Sequence, residues 1–141
     1  MLFDQTVKNI NKNPRIIFMI DGIGAILSAF LLGIVLVELR RIFGIPKSTL
    51  YFLAVLPCLF AIYDFYCYRK IDENLGIFLE GIAIMNLIYC GLSIGLAFWH
   101  YQEITQFGWI YIILEVMIII TLVILELRIA KSLTLRQAQG P

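Results

Sequence analysis

The stretch GWIYIILEVMIIITLVILELRIA, residues 108–130, decides the class of fold. Its only charged members are Glu115, Glu126 and Arg128. A helix needs about 20 predominantly apolar residues to cross the hydrocarbon of a bilayer, and this run supplies them without a break. Working outward, three more runs of the same kind precede it, over residues 16–39, 49–68 and 76–99. The polar segments between them are short. Short connections make consecutive helices neighbours, so the chain reads as an all-α integral membrane protein, a four-transmembrane-helix antiparallel up-down bundle forming a single membrane domain over residues 1–141. Pro57 falls near the middle of the second run. Its missing N–H leaves the Leu53 carbonyl without a helical partner, which predicts a kinked second helix.

Composition points the same way. Of the 141 residues 61% are hydrophobic and 15% charged, against roughly 45–50% apolar and about 25% charged in a soluble domain. The net charge of +1 gives no reason to expect a nucleic-acid partner. The lipid bilayer is the first partner. Cys58, Cys67 and Cys90 all lie inside apolar runs and lack metal-ligand spacing, so they read as small hydrophobes and no metal site is expected. The first run is longer than a signal-peptide core and no small-residue cleavage site follows it, which makes it a retained helix.

Lys and Arg set the orientation. The segments before the first run, between the second and third, and after the fourth hold Lys8, Lys12, Arg15, Arg69, Lys70, Arg128, Lys131 and Arg136; the other two connections hold Arg40, Arg41 and Lys47. The positive-inside rule therefore places both termini in the cytoplasm, in a bacterial inner (plasma) membrane. Trp99, Tyr101, Trp109 and Tyr111 then fall at the outer interface, where amphipathic rings settle. Residues 1–13, with Phe3, Val7 and Ile10 at helical spacing, read as an interfacial helix or a frayed tail. Residues 132–141 read as a disordered tail.

The acids inside the runs are the unusual feature. A charge exposed to lipid at mid-membrane costs at least ~2.5–3.5 kcal/mol, so such residues face a bundle interior or a cavity. Asp21, Asp64 and Glu80 lie roughly 6–8 Å from the cytoplasmic ends of their helices, and Glu115 roughly 10 Å into the apolar core from the other side. Glu126 is shallower. On a helical projection each acid shares a face with residues suited to helix contact: Asp21 with Gly22, Ala25, Ser28, Ala29 and Gly33; Asp64 with Ala54, Pro57, Ala61 and Tyr68; Glu80 with Gly91 and Gly95; Glu115 with Gly108, Tyr111 and Glu126. The simplest arrangement turns all four faces toward one interior. One difficulty stands against it, since Asn86, Tyr89 and Ser93 form a stripe almost opposite Glu80. The triplets Asp21-Gly22-Ile23 and Glu80-Gly81-Ile82 are a faint echo between the two halves of the chain.

Glu115, Asp64, Asp21 and Glu80 are thus the candidates for handling protons or cations. Tyr89, Asn86 and Ser28 are supporting polar groups at depths close to that of Glu115. A mid-membrane carboxyl without a cationic partner in any span is expected to exchange a proton near neutral pH. His100, the single histidine, sits at the outer interface beside Trp99 and reads as an interfacial polar residue. No catalytic motif, phosphate-binding glycine loop or cofactor-binding pattern is present, so neither enzymatic activity nor a cofactor is expected. Two functions remain: proton- or cation-linked transport or channel activity, and a non-transporting accessory or interaction subunit that meets a membrane-protein partner or a second copy of itself.

Overall fold

The apolar runs become four helices long and apolar enough to cross a membrane: Ile16–Glu38, Lys47–Lys70, Leu75–Trp99 and Gln106–Ala138. The computed structural model describes residues 2–70 and 73–138, and every regular element among them is helical. The first and second long helices pack along much of their length, as do the third and fourth; the second and third touch over a shorter stretch. Between lipid-solvated helices the hydrophobic effect gives little drive, so this packing depends on close dispersion contact and on polar groups satisfied across the interfaces.

Small residues set the closest approaches. A Cβ on Gly22 would lie 3.0 Å from Phe65 Cζ and 3.2 Å from Asp64 Cβ, and one on Gly33 would lie 3.3 Å from Ala54 Cβ. These contacts seat the first helix on the second. Gly81 does the same for the third, since a Cβ there would meet the Tyr63 hydroxyl at 2.7 Å, and that hydroxyl donates to the Phe78 carbonyl at 2.8 Å. The two echoed triplets therefore share their glycine, which in both cases meets the second helix. They do not share their acid, because Asp21 is buried and Glu80 exposed.

The first helix is not uniform. Its turn Leu31–Val35 is π-helical, an extra-residue widening that the 3.6 period of the sequence does not announce. Pro57 lies inside the second helix and is buried.

Both ends of the fold are tied. Residues 2–12 form a helix, Leu2–Lys12, lying against the last turns of the fourth. Arg128 pairs with Asp4 at 3.1 Å and stacks over the Phe3 ring at 5.1 Å, and Arg136 donates to the Asn11 carbonyl at 3.3 Å. These contacts explain why the fourth helix runs to Ala138 instead of dissolving into a tail after residue 131; residues 139–141 lie outside the described set. At the opposite end Thr105 caps the fourth helix, accepting from the Gly108 N–H at 3.2 Å while its hydroxyl donates to the Ile42 carbonyl. Gly44 turns the chain there with φ +73°, where a Cβ would collide with the Glu103 carbonyl oxygen.

The interior has three layers. Ile17, Phe18, Cys67, Leu79, Ile82 and Ile129 form an apolar layer at the end that carries the termini. Leu32, Leu36, Leu50, Leu53, Cys90 and Ile112 form another toward the opposite end. Asp21, Asp64, Asn86 and Glu126 lie between them. Of the cysteines, Cys67 and Cys90 are buried and Cys58 is exposed.

Candidate functional site

Asp64 and Glu126 are completely buried, and Asp21 and Asn86 are only 4% and 6% exposed. One comes from each long helix. Gly22 makes the meeting possible, because its missing side chain lets the first helix sit against Asp64 itself. The Asn86 side-chain amide donates to Asp21 Oδ1 at 3.1 Å and to Glu126 Oε1 at 3.3 Å, bridging two carboxyls on helices far apart in sequence. Asp64 abuts Asp21, yet neither of its oxygens meets a donor; Asp21 Oδ2 and Glu126 Oε2 are also buried without one. Among the described residues Arg128 pairs with Asp4 and His100 approaches Glu103, both away from this group. Two of the three carboxyls thus share one amide, and Asp64 has no donor.

A second group lies two turns further along the first helix. Ser28 is seven positions beyond Asp21, roughly 10 Å of helical rise. Its hydroxyl donates to Glu115 Oε2 at 3.4 Å, and the Tyr89 hydroxyl donates to Glu115 Oε1. Tyr111, one turn before Glu115 on the same helix, brings its hydroxyl to the same carboxyl. Phe60 meets the Tyr89 ring edge-on, with centroids 6.2 Å apart, so the carboxyl's surroundings are hydroxyls set in an aromatic wall.

The two groups border one cavity of about 330 Å³. Asp21 and Asn86 lie toward one end of its lining, Ser28, Tyr89, Tyr111 and Glu115 toward the other, and Pro57 and Phe60 contribute from the second helix. The first and fourth helices touch too little to close it. Leu27, Leu114 and Ile118 line the cavity and are also exposed, so it opens between these two helices onto the outer surface of the bundle.

Set against the sequence, Asp21, Asp64, Glu115, Asn86, Tyr89 and Ser28 all come to this interior. Glu80 does not. It is exposed, as are Gly91 and Gly95 on its face, and a Cβ at either glycine would meet nothing within 4 Å. The third helix turns its other face inward, the one bearing Asn86, Tyr89 and Ser93, because the cost of leaving three polar side chains in lipid outweighs the close packing two glycines permit. Glu126 takes the place expected of Glu80. Its low apparent depth came from ending the helix near residue 130, whereas the helix continues for two more turns. Tyr111 belongs to Glu115 and not only to an interface; its i, i+4 spacing from that acid was the available signal. His100 accepts or donates one contact with Thr49 Oγ1 at 3.2 Å and lies apart from the cavity. Among the described residues no group of His, Cys, Asp and Glu side chains has the geometry to hold a metal ion.

Fold and site together define a four-helix, membrane-type bundle with two carboxyls, Asp21 and Glu115, lining a cleft. Compared with known proteins, the chain matches no family model, no curated protein and no solved structure.

Proposed function

We propose that the chain is a small membrane transporter or channel in which Glu115, Asp21 and Asp64, joined by Glu126, handle protons or cations. The observation that carries this reading is one cavity bordered by Glu115 and Asp21, with Asp64 and Glu126 fully buried beside it and four carboxyl oxygens of the inner group lacking donors. Apolar surroundings make uncompensated carboxylates costly, and the compensation must come from a proton or a bound cation when no Lys or Arg supplies it. A proton lodged between the adjacent carboxyls would provide the hydrogen bond that Asp21 Oδ2 and Asp64 lack. Asn86 then links that pair to Glu126, and Tyr89 links the third helix to Glu115.

In this reading the helices run up and down antiparallel through a bacterial inner membrane with both termini in the cytoplasm, as the lysine and arginine distribution supports. Pro57 kinks the second helix where it borders the cavity and serves as a hinge between the two apolar layers that close its ends. Proton and monovalent-cation flux into vesicles carrying the purified chain tests it. Flux should fall to the level of empty vesicles for Glu115→Gln and for Asp64→Asn. Unchanged flux in both folded variants would sink the proposal.

The rival reading, an interaction subunit or homo-oligomer, draws on the exposed face carrying Glu80, Gly91 and Gly95, a pattern suited to close approach of another helix. Cross-linking of a cysteine placed at Gly95 to a second helix in native membranes would favour it.

A further inference from the structure

We infer that the cleft between the first and fourth helices binds a monovalent organic cation with an apolar body, which enters sideways from the lipid and sets its charge against Glu115. This deepens the transport reading and rests on it in taking Glu115 as the carboxyl that meets the transported ion.

Four observations converge on that ligand. The Glu115 carboxyl accepts from the hydroxyls of Tyr89 and Ser28 and is reached by that of Tyr111, a donor set that orients a negative charge without neutralising it. Among the described residues no Lys, Arg or His pairs with this carboxyl, and Glu115 lines the cavity. The volume, about 330 Å³, lies at the small end of the roughly 300–1,000 Å³ typical of sites for organic ligands, and exceeds what a bare metal ion would fill. The surface that the walls expose is almost wholly apolar, which suits a hydrated inorganic cation poorly, and Phe60, Tyr89 and Tyr111 supply aromatic rings, which attract weakly hydrated organic cations. Finally, the mouth is apolar and faces where the lipid would be: Leu27, Leu114 and Ile118 line the cavity and are exposed, and Gly24 on the same edge is exposed with nothing within 4 Å of where its Cβ would stand. An apolar body can therefore remain between these side chains while the charged group reaches Glu115.

Titrating the full chain, purified in an uncharged detergent, with tetraphenylphosphonium and following binding calorimetrically tests the inference. Saturable binding is expected, weakened by about tenfold or more in Glu115→Gln, which removes the charge. Gly24→Phe should weaken it as much, because that ring fills the mouth and leaves Glu115 in place. Gly95→Phe, an equal bulk on the exposed face of the third helix outside the cavity lining, should bind as the unaltered chain does. Tetramethylammonium, with the charge but little apolar body, should bind more weakly by a similar factor. Absence of tetraphenylphosphonium binding, equal binding to Glu115→Gln and Gly24→Phe, or an equal loss in Gly95→Phe would each overturn the assignment. The two proposals fail separately. Glu115-dependent proton flux without tetraphenylphosphonium binding removes the organic cation and leaves transport standing. Cation binding that depends on Glu115 and Gly24, without any flux, leaves the cleft as a binding site and removes transport.

Discussion

The Tyr89 hydroxyl on the third long helix donates to the Glu115 carboxyl on the fourth, and the Tyr89 ring is held edge-on by Phe60 of the second. The carboxyl is therefore positioned by a side chain that is itself almost wholly buried and cannot easily turn away. Tyr89→Phe keeps the ring contact and deletes the donor. A hydrogen bond to a charged group contributes about 1.5–3 kcal/mol, so the variant should lose that order of stability if Glu115 is ionised at rest. Thermal unfolding in detergent gives the stability, and vesicle flux measured in parallel should fall while Ser28 and Tyr111 keep part of the site.

Asp64 and Asn86 should respond in opposite directions. Asp64 has two buried oxygens without a donor, and Asp64→Asn puts an N–H beside Asp21, so melting temperature should hold or rise even as flux is lost. Asn86→Leu removes the amide that serves Asp21 and Glu126 together and should cost about 1–3 kcal/mol. A melting temperature lowered by Asp64→Asn would mean that the amide does not reproduce a favourable contact between Asp64 and Asp21.

Gly22 is the hinge of the inner group in a packing sense. Its Cβ would press on Phe65 and on Asp64, so Gly22→Ala should destabilise by about 1–3 kcal/mol through overpacking. Gly91→Ala, where a Cβ meets nothing, should leave the melting temperature unchanged. Comparable losses for both would contradict the assignment of inward and outward faces on these helices.

Gly44 carries a different constraint. With φ +73° and the Glu103 carbonyl where a Cβ would go, Gly44→Ala is strained twice over and should cost on the order of 1–3 kcal/mol. The effect belongs to stability and not to the cavity, so organic-cation affinity of the folded fraction, measured below the unfolding range, should be unaltered.

How much of this could be read in the sequence depends on which physical signal each residue carried. The four long helices were legible because apolar runs of that length have one economical use. The company of Glu115 was legible from depth alone, since Tyr89 and Ser28 lie at its level on neighbouring helices. Orientation about the helix axis was harder. The third helix offered two contradictory faces, one with Gly91 and Gly95 and one with Asn86, Tyr89 and Ser93, and small residues weigh less than polar ones when only one face can be inside. The fourth helix was cut short at residue 130 because its last turns are polar; they are helical through contacts with Asp4 and Asn11 that are distant in sequence. A helix ending at residue 130 puts Glu126 at its periphery, whereas one reaching Ala138 puts it well inside. The π-helical turn at Leu31–Val35 has no counterpart in a sequence projected on a fixed 3.6 period.

We propose Glu115 as an ion-handling carboxyl reached through the cleft between the first and fourth helices. The most direct test is reaction with dicyclohexylcarbodiimide, a lipid-soluble reagent that converts carboxyls in apolar surroundings to stable adducts. Samples reacted for increasing times are divided between mass-spectrometric mapping and vesicle flux. The account predicts an adduct on Glu115 whose growth parallels the loss of flux, with both slowed in Gly24→Phe. Flux that persists when Glu115 is fully modified, or a Glu115 that stays unmodified while flux disappears, would contradict it.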